Sequence, residues 1–423
     1  MAQNKFETII ADQQLEVKRI DLTKLCHRKE EELFEIESPL AQIVIGVRRC
    51  GKSTLCHKVL LQNKEKYAYL NFDDDRLFDV DASQFDEILE ALIIVYGEFR
   101  FLFLDEIQNV KGWNLFVNRL LRQKFQLVIT GSNAKLLSSE LSTYLTGRYN
   151  QIELLPFSFY EFLQYKNLEV NALTTFDIAF RKSAFQEYCL HGGFPELFKL
   201  RDKKGYVQRL TNNIVMNDIC KRYNIRYIDT LLKLTNYLIS NFAQELNYQN
   251  IAKLFNIKST HTVQNYINYL RQTYLIVAVN KFSYKAKERI RNEKAYLIDP
   301  SLFAFKDNRL SSENLGWTVE NIVYLELLRR KKYQHFDIYY FREGFEVDFV
   351  LCVHNQVIEL IQVTTEILSE KTLNREINAL VKGAAKTNCS KLTLLSFRHT
   401  QQHVFEHVKV SERAVVEWLC ETY

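Results

Sequence analysis

The chain contains little proline and glycine, with 4 Pro and 12 Gly among 423 residues. Because flexible linkers are built mainly from such residues, we expect no long flexible linker between domains. Apolar runs are short as well, and none approaches the roughly 20 residues that a membrane-spanning helix needs. The first residues, MAQNKFETII, carry charges that are not typical of a secretory signal peptide. These absences predict a protein without a membrane association.

Cysteine is present, but not in the spacing of a metal site. The eight cysteines, at positions 26, 50, 56, 189, 220, 352, 389 and 420, form no C-x-x-C pair and no other zinc spacing. Their pattern is typical of reduced thiols, which predicts a cytoplasmic location.

Length and composition indicate a globular chain of two to three domains. Hydrophobic residues make up 47% of the chain and charged residues 25%. The net charge of +5 is mildly basic, which permits nucleic-acid binding without arguing for it. The local distribution of charge is therefore more informative than the total.

One stretch, residues 43–55 (IVIGVRRCGKSTL), matches the phosphate-binding loop G-x-x-x-x-G-K-[ST]. Gly46 and Gly51 allow the backbone to curl so that its N–H groups point at a phosphate. Lys52 can reach the β- and γ-phosphates of ATP, and Ser53 can offer its hydroxyl group to Mg²⁺. The predicted nucleotide-binding residues are Gly46, Val47, Arg48, Arg49, Cys50, Gly51, Lys52, Ser53 and Thr54.

Three further apolar runs, at 67–72, 99–104 and 125–130, each end in polar residues. Separated by helical patterns, such runs predict an α/β fold: a parallel sheet with helices on both faces. Ligands bind to these sheets at the carboxyl ends of the strands. The polar residues after each run are therefore candidates for one site.

Asp105 and Glu106 follow the second of these runs. We expect Asp105 to hold Mg²⁺, directly or through water, and Glu106 to orient or polarise the attacking water. Acidic residues also end strands without any catalytic function. The preceding phosphate loop favours the catalytic interpretation here.

Ser132, Asn133 and Arg148 are further candidates for the ATPase site. Ser132 and Asn133 follow the third run, where a sensor of the γ-phosphate or of water would lie, although helix N-capping explains them equally well. Arg148 could supply positive charge to the transition state, in cis or across the interface of a homo-oligomer. Arg49, inside the phosphate loop, is a competing source of that charge.

Residues 248–298 have the pattern of a winged helix-turn-helix: two short helical segments, a polar turn at 258–260, and two apolar strands. Residues 258–294 carry eight basic and two acidic side chains, a net charge of +6. Since phosphate contacts set affinity for nucleic acid, this segment predicts DNA binding, with a role in packing or protein contact as the alternative. Its basic residues are Lys258, Arg271, Lys281, Lys285, Lys287, Arg289, Arg291 and Lys294.

The last hundred residues alternate strand and helix patterns and place Glu320, Asp348 and Gln362 where a metal-dependent nuclease holds its ligands. Such a site requires a Glu where Gln362 stands and a Lys where Thr364 stands. Gln offers only a neutral carbonyl, and Thr supplies no ammonium group. We therefore expect a degenerate nuclease fold that serves binding or packing.

Taken together, these motifs resemble a bacterial and archaeal group of AAA-type P-loop ATPases. In that group a winged helix and a restriction-endonuclease-like domain of the PD-(D/E)XK type follow the ATPase core. The resemblance implies ATP binding by residues 46–53, Asp105 and Glu106, with a sensor near Ser132 or Asn133. The matching segments are GVRRCGKST, YLNFDDDRL, FLDEIQNV, VITGSNAKLL, LTGRYNQIELLPFSFYEF, HGGFPE, AYLIDPSLF, EVDFVL and LIQVTTE.

The sequence thus predicts an AAA-type ATPase domain at 1–165, a helical lid with a winged helix at 166–308, and a nuclease-like α/β domain at 309–423. Its predicted ligands are ATP and Mg²⁺, and its predicted activity is ATP hydrolysis coupled to DNA binding. Two alternatives remain: a nucleotide-controlled signalling or assembly switch that acts on protein partners, and an ATP-gated nuclease.

Overall fold

The computed structural model describes residues 5–63, 66–131, 145, 147–171, 174–285, 292–307, 312–365, 370–398, 400–405 and 407–422. The chain divides into two compact units. The first unit comprises Met1–Leu155 and Gln272–Tyr274, and the second comprises Pro156–Arg271 and Leu275–Tyr423. The division of the chain into three functional domains stays a prediction.

The first unit is built on a parallel sheet. Within the described residues it has five strands in the order β2-β3-β4-β1-β5. The strands are β1 Ala41–Gly46, β2 Tyr67–Asn71, β3 Phe101–Asp105, β4 Gln126–Gly131 and β5 Tyr149–Leu154. The helices are α1 Lys5–Lys18, α2 Lys52–Gln62, α3 Phe85–Tyr96 and α4 Trp113–Arg122.

The central strands of this sheet are continuous apolar runs because neighbouring strands and helices cover them. Every residue of β1, β3 and β4 is buried. β1 pairs in parallel with β4 on one side, Ile43 with Ile129, and with β5 on the other, Ile43 with Gln151. β5 alternates polar and apolar residues at the edge, and the sequence analysis did not predict it. The carboxyl ends of all five strands therefore meet at one edge.

From residue 156 onward the chain is mainly helical before it forms a second sheet. The strands are β6 Gln244–Glu245, β7 Ile276–Lys281, β8 Glu293–Leu297, β9 Asp337–Arg342, β10 Glu346–Val353, β11 Gln356–Val363, β12 Leu392–Ser396, β13 Gln401–Phe405 and β14 Val408–Ala414. The helices are α5 Phe159–Tyr165, α6 Thr175–His191, α7 Lys203–Asn213, α8 Ile228–Ser240, α9 Tyr248–Leu254, α10 Thr260–Gln272, α11 Ser301–Asp307, α12 Ser312–Gln334, α13 Glu370–Thr387 and α14 Val415–Trp418.

The described strands of the second unit join into one mixed sheet of nine, in the order β13-β14-β12-β11-β10-β9-β7-β8-β6. The hairpin of β7 and β8 follows the helix pair α9 and α10. β7 also pairs in parallel with β9, where Asn280 lies opposite Tyr339. The strands after α10 therefore share one sheet with the strands of the last hundred residues. Parallel pairing of β7 with β9 requires a long crossover, and α12 runs within that connection.

The turn His191–Pro195 (HGGFP) fits closely onto Asp299. Gly192 has a φ of +68°, and a Cβ atom there would overlap the Asp299 carboxylate. The next N–H group, that of Gly193, donates to Asp299 Oδ2 at 2.6 Å. Burial raises the pKa of Asp299 to about 6, although its hydrogen bonds oppose that shift. Glycine is required here because a side chain would occupy the position of the carboxylate.

No helix in the described part of the chain is both long and apolar enough to cross a bilayer. All eight cysteines lie in that part of the chain, and none of them is joined in a disulfide.

Candidate functional site

The phosphate loop connects β1 to α2 and contains both of its predicted glycines in strained or crowded positions. A Cβ atom on Gly46 would overlap the carbonyl oxygen of Leu154 on the neighbouring strand. Gly51 has φ 100° and ψ 23°, a left-handed conformation, directly before the first residue of α2. Only glycine adopts both positions without strain, so the loop shape follows directly from these two residues.

Lys52 begins α2 and turns its side chain back into the loop. Its Nζ atom donates to the carbonyl oxygens of Gly46 and Val47, each at 3.3 Å. The same atom lies 3.7 Å from Glu106 Oε1. With 5% of its surface exposed, the ammonium group is buried, although its nearest partners are neutral carbonyls. An anion that entered the loop could exchange for these weak partners.

Ser53 and Asp105 meet at the carboxyl edge of the sheet although 52 residues separate them in the sequence. The Ser53 hydroxyl donates to Asp105 Oδ1 at 3.0 Å, and the Tyr69 hydroxyl donates to Oδ2 at 3.1 Å. Thr130 also donates its hydroxyl to Asp105. Burial, and then the charge of Glu106, raise the pKa of Asp105, while the hydrogen bonds from Thr130 and Ser53 oppose that shift.

The donor set formed by Ser53 and Asp105 fits Mg²⁺. Magnesium takes octahedral oxygen ligands, keeps several waters, and is commonly held by one or two protein groups together with phosphates. A hydroxyl and a carboxylate already in contact supply such a pair. Among the described residues, no group of three or more His, Cys, Asp or Glu side chains is arranged to hold a metal ion by itself.

Glu106 occupies an unusual backbone conformation, with φ 51° and ψ 38°. Its N–H group donates to the Thr130 hydroxyl at 3.0 Å, and this bond fixes the residue at the end of β3. Its carboxylate accepts from Gln108 Nε2 and lies near Lys52. The Glu106 carboxylate thus lies beside Lys52 at the carboxyl end of β3.

Three residues of this site were not predicted from the sequence: Tyr69, Thr130 and Arg28. Thr130 had a local signal, because it is a polar residue at the end of an apolar strand. Arg28 had none. It is 4% exposed, and its guanidinium donates to the carbonyls of Cys50 at 3.3 Å and Leu155 at 2.7 Å. It therefore tethers the phosphate loop from a segment that precedes the sheet.

The remaining predicted residues have different outcomes. Ser132 and Asn133 lie outside the described residues. The Arg148 side chain is exposed directly before β5, and the residue's carbonyl accepts from the N–H of Ala41 at 3.1 Å. In the loop, Arg48 is half-buried and Arg49 is exposed with a φ of 69°.

The predicted nuclease-like residues line a cavity of about 550 Å³ in the second unit. Gln362 Oε1 accepts from the Asp348 N–H at 3.2 Å, and Gln362 Nε2 donates to Glu376 at 2.9 Å. The amide of Gln362 is thus committed to two protein partners. Thr364 is buried at the end of β11, and its N–H donates to Leu395. Lys294 and Glu320 line the same cavity.

Two cations of the basic segment 258–294 have internal partners. Arg271 lies 2.9 Å from Glu293. Lys294 is 3% exposed and cannot reach a nucleic acid, which corrects its inclusion among the DNA-contacting candidates. The start of α10 is open to solvent, with Thr260, His261 and Gln264 exposed. Residues 286–291, which include Lys287, Arg289 and Arg291, lie outside the described residues.

Comparison with known families gives two matches. A model described as "AAA domain" matches residues 38–163, and a model described as "Domain of unknown function (DUF8612)" matches residues 182–312. The first of these covers the phosphate loop, Asp105 and Glu106.

Two similar proteins extend over most of the chain. The uncharacterized protein MJ1544 of Methanocaldococcus jannaschii is 36% identical over 383 residues, which span 88% of this chain and 85% of that protein. An uncharacterized protein of Haemophilus influenzae is 30% identical over 399 residues, which span 90% of this chain and 95% of that protein.

Comparison with solved structures matches a Walker-type ATPase of Pyrococcus abyssi. It has a TM-score of 0.45 and 17% identity, and the match covers 66% of this chain and 95% of that one. DnaA of Aquifex aeolicus, bound to AMPPCP, has a TM-score of 0.26 and 16% identity, and the match covers 59% of this chain and 90% of that one.

Proposed function

Since this chain belongs to the family of the Methanocaldococcus jannaschii protein and carries an AAA-type P-loop domain, we propose that it binds ATP with Mg²⁺ and hydrolyses it. The observation that carries the proposal is the meeting of Lys52, Ser53, Asp105 and Glu106 at one edge of the sheet. These four side chains provide the charges and ligands that phosphoryl transfer to water requires.

In this proposal, nucleotide binding exchanges the present partners of Lys52 for phosphate oxygens. Backbone N–H groups of the phosphate loop would face the phosphates, and Lys52 would move from two carbonyls to the β- and γ-phosphates. Ser53 and Asp105 would hold Mg²⁺, which neutralises phosphate charge when bound. Arg28 keeps the loop in shape through the Cys50 carbonyl.

Hydrolysis then requires a water molecule in line with the γ-phosphorus. Glu106 accepts a hydrogen bond from that water and takes up its proton as the new P–O bond forms. The bond to the ADP oxygen breaks, which yields ADP and inorganic phosphate. Ser132 or Asn133 would sense the γ-phosphate, and Arg148 or Arg49 would supply charge to the transition state.

A second part of the proposal is that the segment around α9 and α10 binds DNA. It is supported by the exposed start of α10, by Lys258, which is exposed in the turn between α9 and α10, and by Lys285, which is exposed after β7. Affinity for DNA should fall steeply with salt, because phosphate contacts release counterions. The alternative is a switch that acts on protein partners, for which these residues would form a protein contact.

The test is the rate of ADP release with and without single-stranded, duplex and branched DNA, at two salt concentrations. Stimulation that disappears at high salt supports coupling to DNA. An ATP turnover rate that DNA does not change, together with no salt-sensitive DNA binding, favours the switch that acts on protein partners. Absence of ADP release under every condition would reject the hydrolase itself.

A role of Arg148 across a subunit interface requires a homo-oligomer. In that case turnover per chain should rise with protein concentration and then level off as the oligomer forms. A rate per chain that is independent of concentration would leave Arg148 a role in cis only.

A further inference from the structure

The second unit contains another cavity, of about 680 Å³, which shares no lining residue with the cavity around Gln362. Residues of α6, of the ends of β12 and β14, and of α14 line it, and all of these elements belong to the second unit. Ligand cavities commonly have volumes of about 300–1,000 Å³ and are mostly apolar, with a few polar groups that orient the ligand. The cavity therefore has the size of a small-molecule site.

Helix α6 supplies one wall of this cavity. Arg181, Phe185 and Cys189 line it and are four residues apart, so they lie on one face of the helix. Leu190 extends that wall, and at 1.5 Å per residue the helix rises by about 13.5 Å between positions 181 and 190. The wall therefore combines apolar side chains along its length with one guanidinium group toward its amino-terminal end.

A second wall of the cavity is apolar as well. Phe397, directly after β12, contacts Phe185 edge to face, with ring centroids 6.0 Å apart. Val416 of α14 also lines the cavity. Phe185 is buried, whereas Phe397 is 37% exposed. An apolar ligand in the cavity would remove part of the Phe397 ring from water, which is favourable.

Arg181 is a buried cation with an incomplete set of partners. It is 8% exposed, and its Nη1 atom donates to the Val170 carbonyl at 2.9 Å. Its Nε atom is buried and donates to no acceptor in the part of the chain that the structure describes. Its ion-pair partner, Glu417 Oε1, lies 3.9 Å from Nη2, beyond hydrogen-bond distance. Because a buried donor without an acceptor is costly, an anionic group in the cavity would supply what this guanidinium lacks.

The charged side chains that line the cavity are mainly cations. Lys182 and Arg398 line it together with Arg181, and both are exposed. Glu417 is the one carboxylate among its described lining residues. Three cations and one carboxylate give the lining a formal charge of +2, which favours an anionic ligand over a neutral one.

We propose that this cavity binds an amphipathic carboxylate, a molecule with an acyl chain of medium length and one carboxylate group. The acyl chain lies along the apolar part of α6 and against Phe397, and the carboxylate pairs with Arg181. Glu417 competes with the ligand for this guanidinium. The site lies in the second unit and does not rest on the proposed ATP hydrolysis.

The test is isothermal titration calorimetry of the full-length chain with decanoate, whose extended length is comparable to the α6 wall. Decan-1-ol is the matched neutral probe, because it has the same chain without the carboxylate. Decanoate should bind saturably, with one molecule per chain. Decan-1-ol should bind about tenfold more weakly or less, since it makes no charge-assisted hydrogen bonds to Arg181.

Three variants locate the binding. Arg181→Met should weaken decanoate binding by about tenfold or more and leave decan-1-ol binding unchanged. Glu417→Gln should strengthen decanoate binding, because the competing carboxylate is removed. Phe397→Asp should weaken the binding of both probes, because it replaces an apolar wall with a charge. Arg209→Met and Phe176→Asp make the same changes at exposed positions outside the cavity and should alter neither affinity.

Absence of saturable decanoate binding would overturn the proposal. Equal affinities for decanoate and decan-1-ol would do so too, as would a folded Arg181→Met variant, checked by circular dichroism, that binds decanoate like the unsubstituted chain. Tighter binding of 2-naphthoate than of decanoate would reject an acyl chain as the apolar part of the ligand. If Arg181→Met does not fold, Glu417→Gln and Phe397→Asp decide the question, because both change exposed side chains, and unchanged decanoate affinity in both would reject the site.

Discussion

Two buried lysines of similar exposure are held in different ways in the two units. Lys52 is 5% exposed and Lys294 is 3% exposed. Lys52 contacts two neutral carbonyls at 3.3 Å, with one carboxylate at 3.7 Å. Lys294 contacts two carboxylates at 2.6 and 2.9 Å. The comparison teaches that burial alone does not define the function of a lysine, because its partners decide whether its charge can be transferred to a ligand.

The neutral partners of Lys52 can be replaced by phosphate oxygens, whereas the carboxylate partners of Lys294 form ion pairs that are costly to break. A hydrogen bond to a neutral carbonyl contributes less than one to a charged group, so phosphate can replace the carbonyls at a net gain. Separating Lys294 from its carboxylates would leave buried charges uncompensated. The following substitutions test this contrast, in order of expected effect.

Glu106→Gln should have the largest effect. The amide cannot take a proton from water, so ATP turnover should fall by about 10²–10³-fold while ATP still binds. ADP release measures turnover, and a fluorescent ATP analogue measures binding. The matched control is Glu90→Gln, which makes the same change at an exposed position on α3, outside the site. Unchanged turnover in Glu106→Gln would remove the water-orienting role.

Lys294→Met should destabilise the fold. It leaves the buried Glu320 without its cation, whereas Glu346 keeps Arg342 at 3.7 Å, and it should lower the free energy of unfolding by about 3–5 kcal/mol. Urea unfolding of the full chain measures the loss. The double variant Lys294→Met with Glu320→Gln should recover part of it, because one uncompensated charge is then absent. A double variant as unstable as the sum of both single variants would contradict the ion-pair account.

Lys52→Ala should weaken ATP binding by about a hundredfold or more, since charge-assisted bonds to two phosphates are lost. Its effect on unfolding should be smaller than that of Lys294→Met, because its hydrogen-bond partners are neutral carbonyls and its one carboxylate neighbour, Glu106, is 3.7 Å away. Arg122→Ala, at the exposed end of α4 and outside the phosphate loop, is the control. Retained ATP affinity in Lys52→Ala would reject the phosphate-loop assignment.

Arg28→Met should have the smallest effect of the four. It removes the bonds to Cys50 and Leu155, which loosens the loop without removing a phosphate ligand, and ATP affinity should fall by about tenfold. Titration with the same fluorescent analogue measures this change. Arg100→Met, at an exposed position, serves as the control. Equal affinity in both variants would mean that the loop keeps its shape without the tether.

Sequence reasoning found the parts of the ATPase site that depend on local pattern. The loop was evident because glycine, lysine and serine lie within eight consecutive residues, and Asp105 was evident because an apolar strand precedes it. Arg28 was not found, because its partners Cys50 and Leu155 lie 22 and 127 residues away. Contacts of this range have no periodic signature in a single sequence.

The second unit shows the limit of sequence reasoning more clearly. The last hundred residues were expected to alternate strands and helices, and β9 to β12 with α13 follow that pattern, because hydrophobic periodicity is local. The strands β6, β13 and β14 were not expected, since polar residues interrupt each of them. Lys294 was interpreted as part of a basic surface, because the count of charges in a segment does not reveal which side of a strand each charge faces.

The sequence by itself determined the phosphate loop, the acidic pair after β3 and the buried strands β1 to β4, because these follow from local backbone geometry and hydrophobic pattern. The tertiary structure alone decided the partners of the two lysines. Glu320 lies 26 residues and Glu346 lies 52 residues from Lys294 along the chain, and only the nine-stranded sheet with α12 brings them to 2.6 and 2.9 Å. Electrostatic interactions act through space, so one residue type serves as an exchangeable ligand in one unit and as a fixed counter-ion in the other.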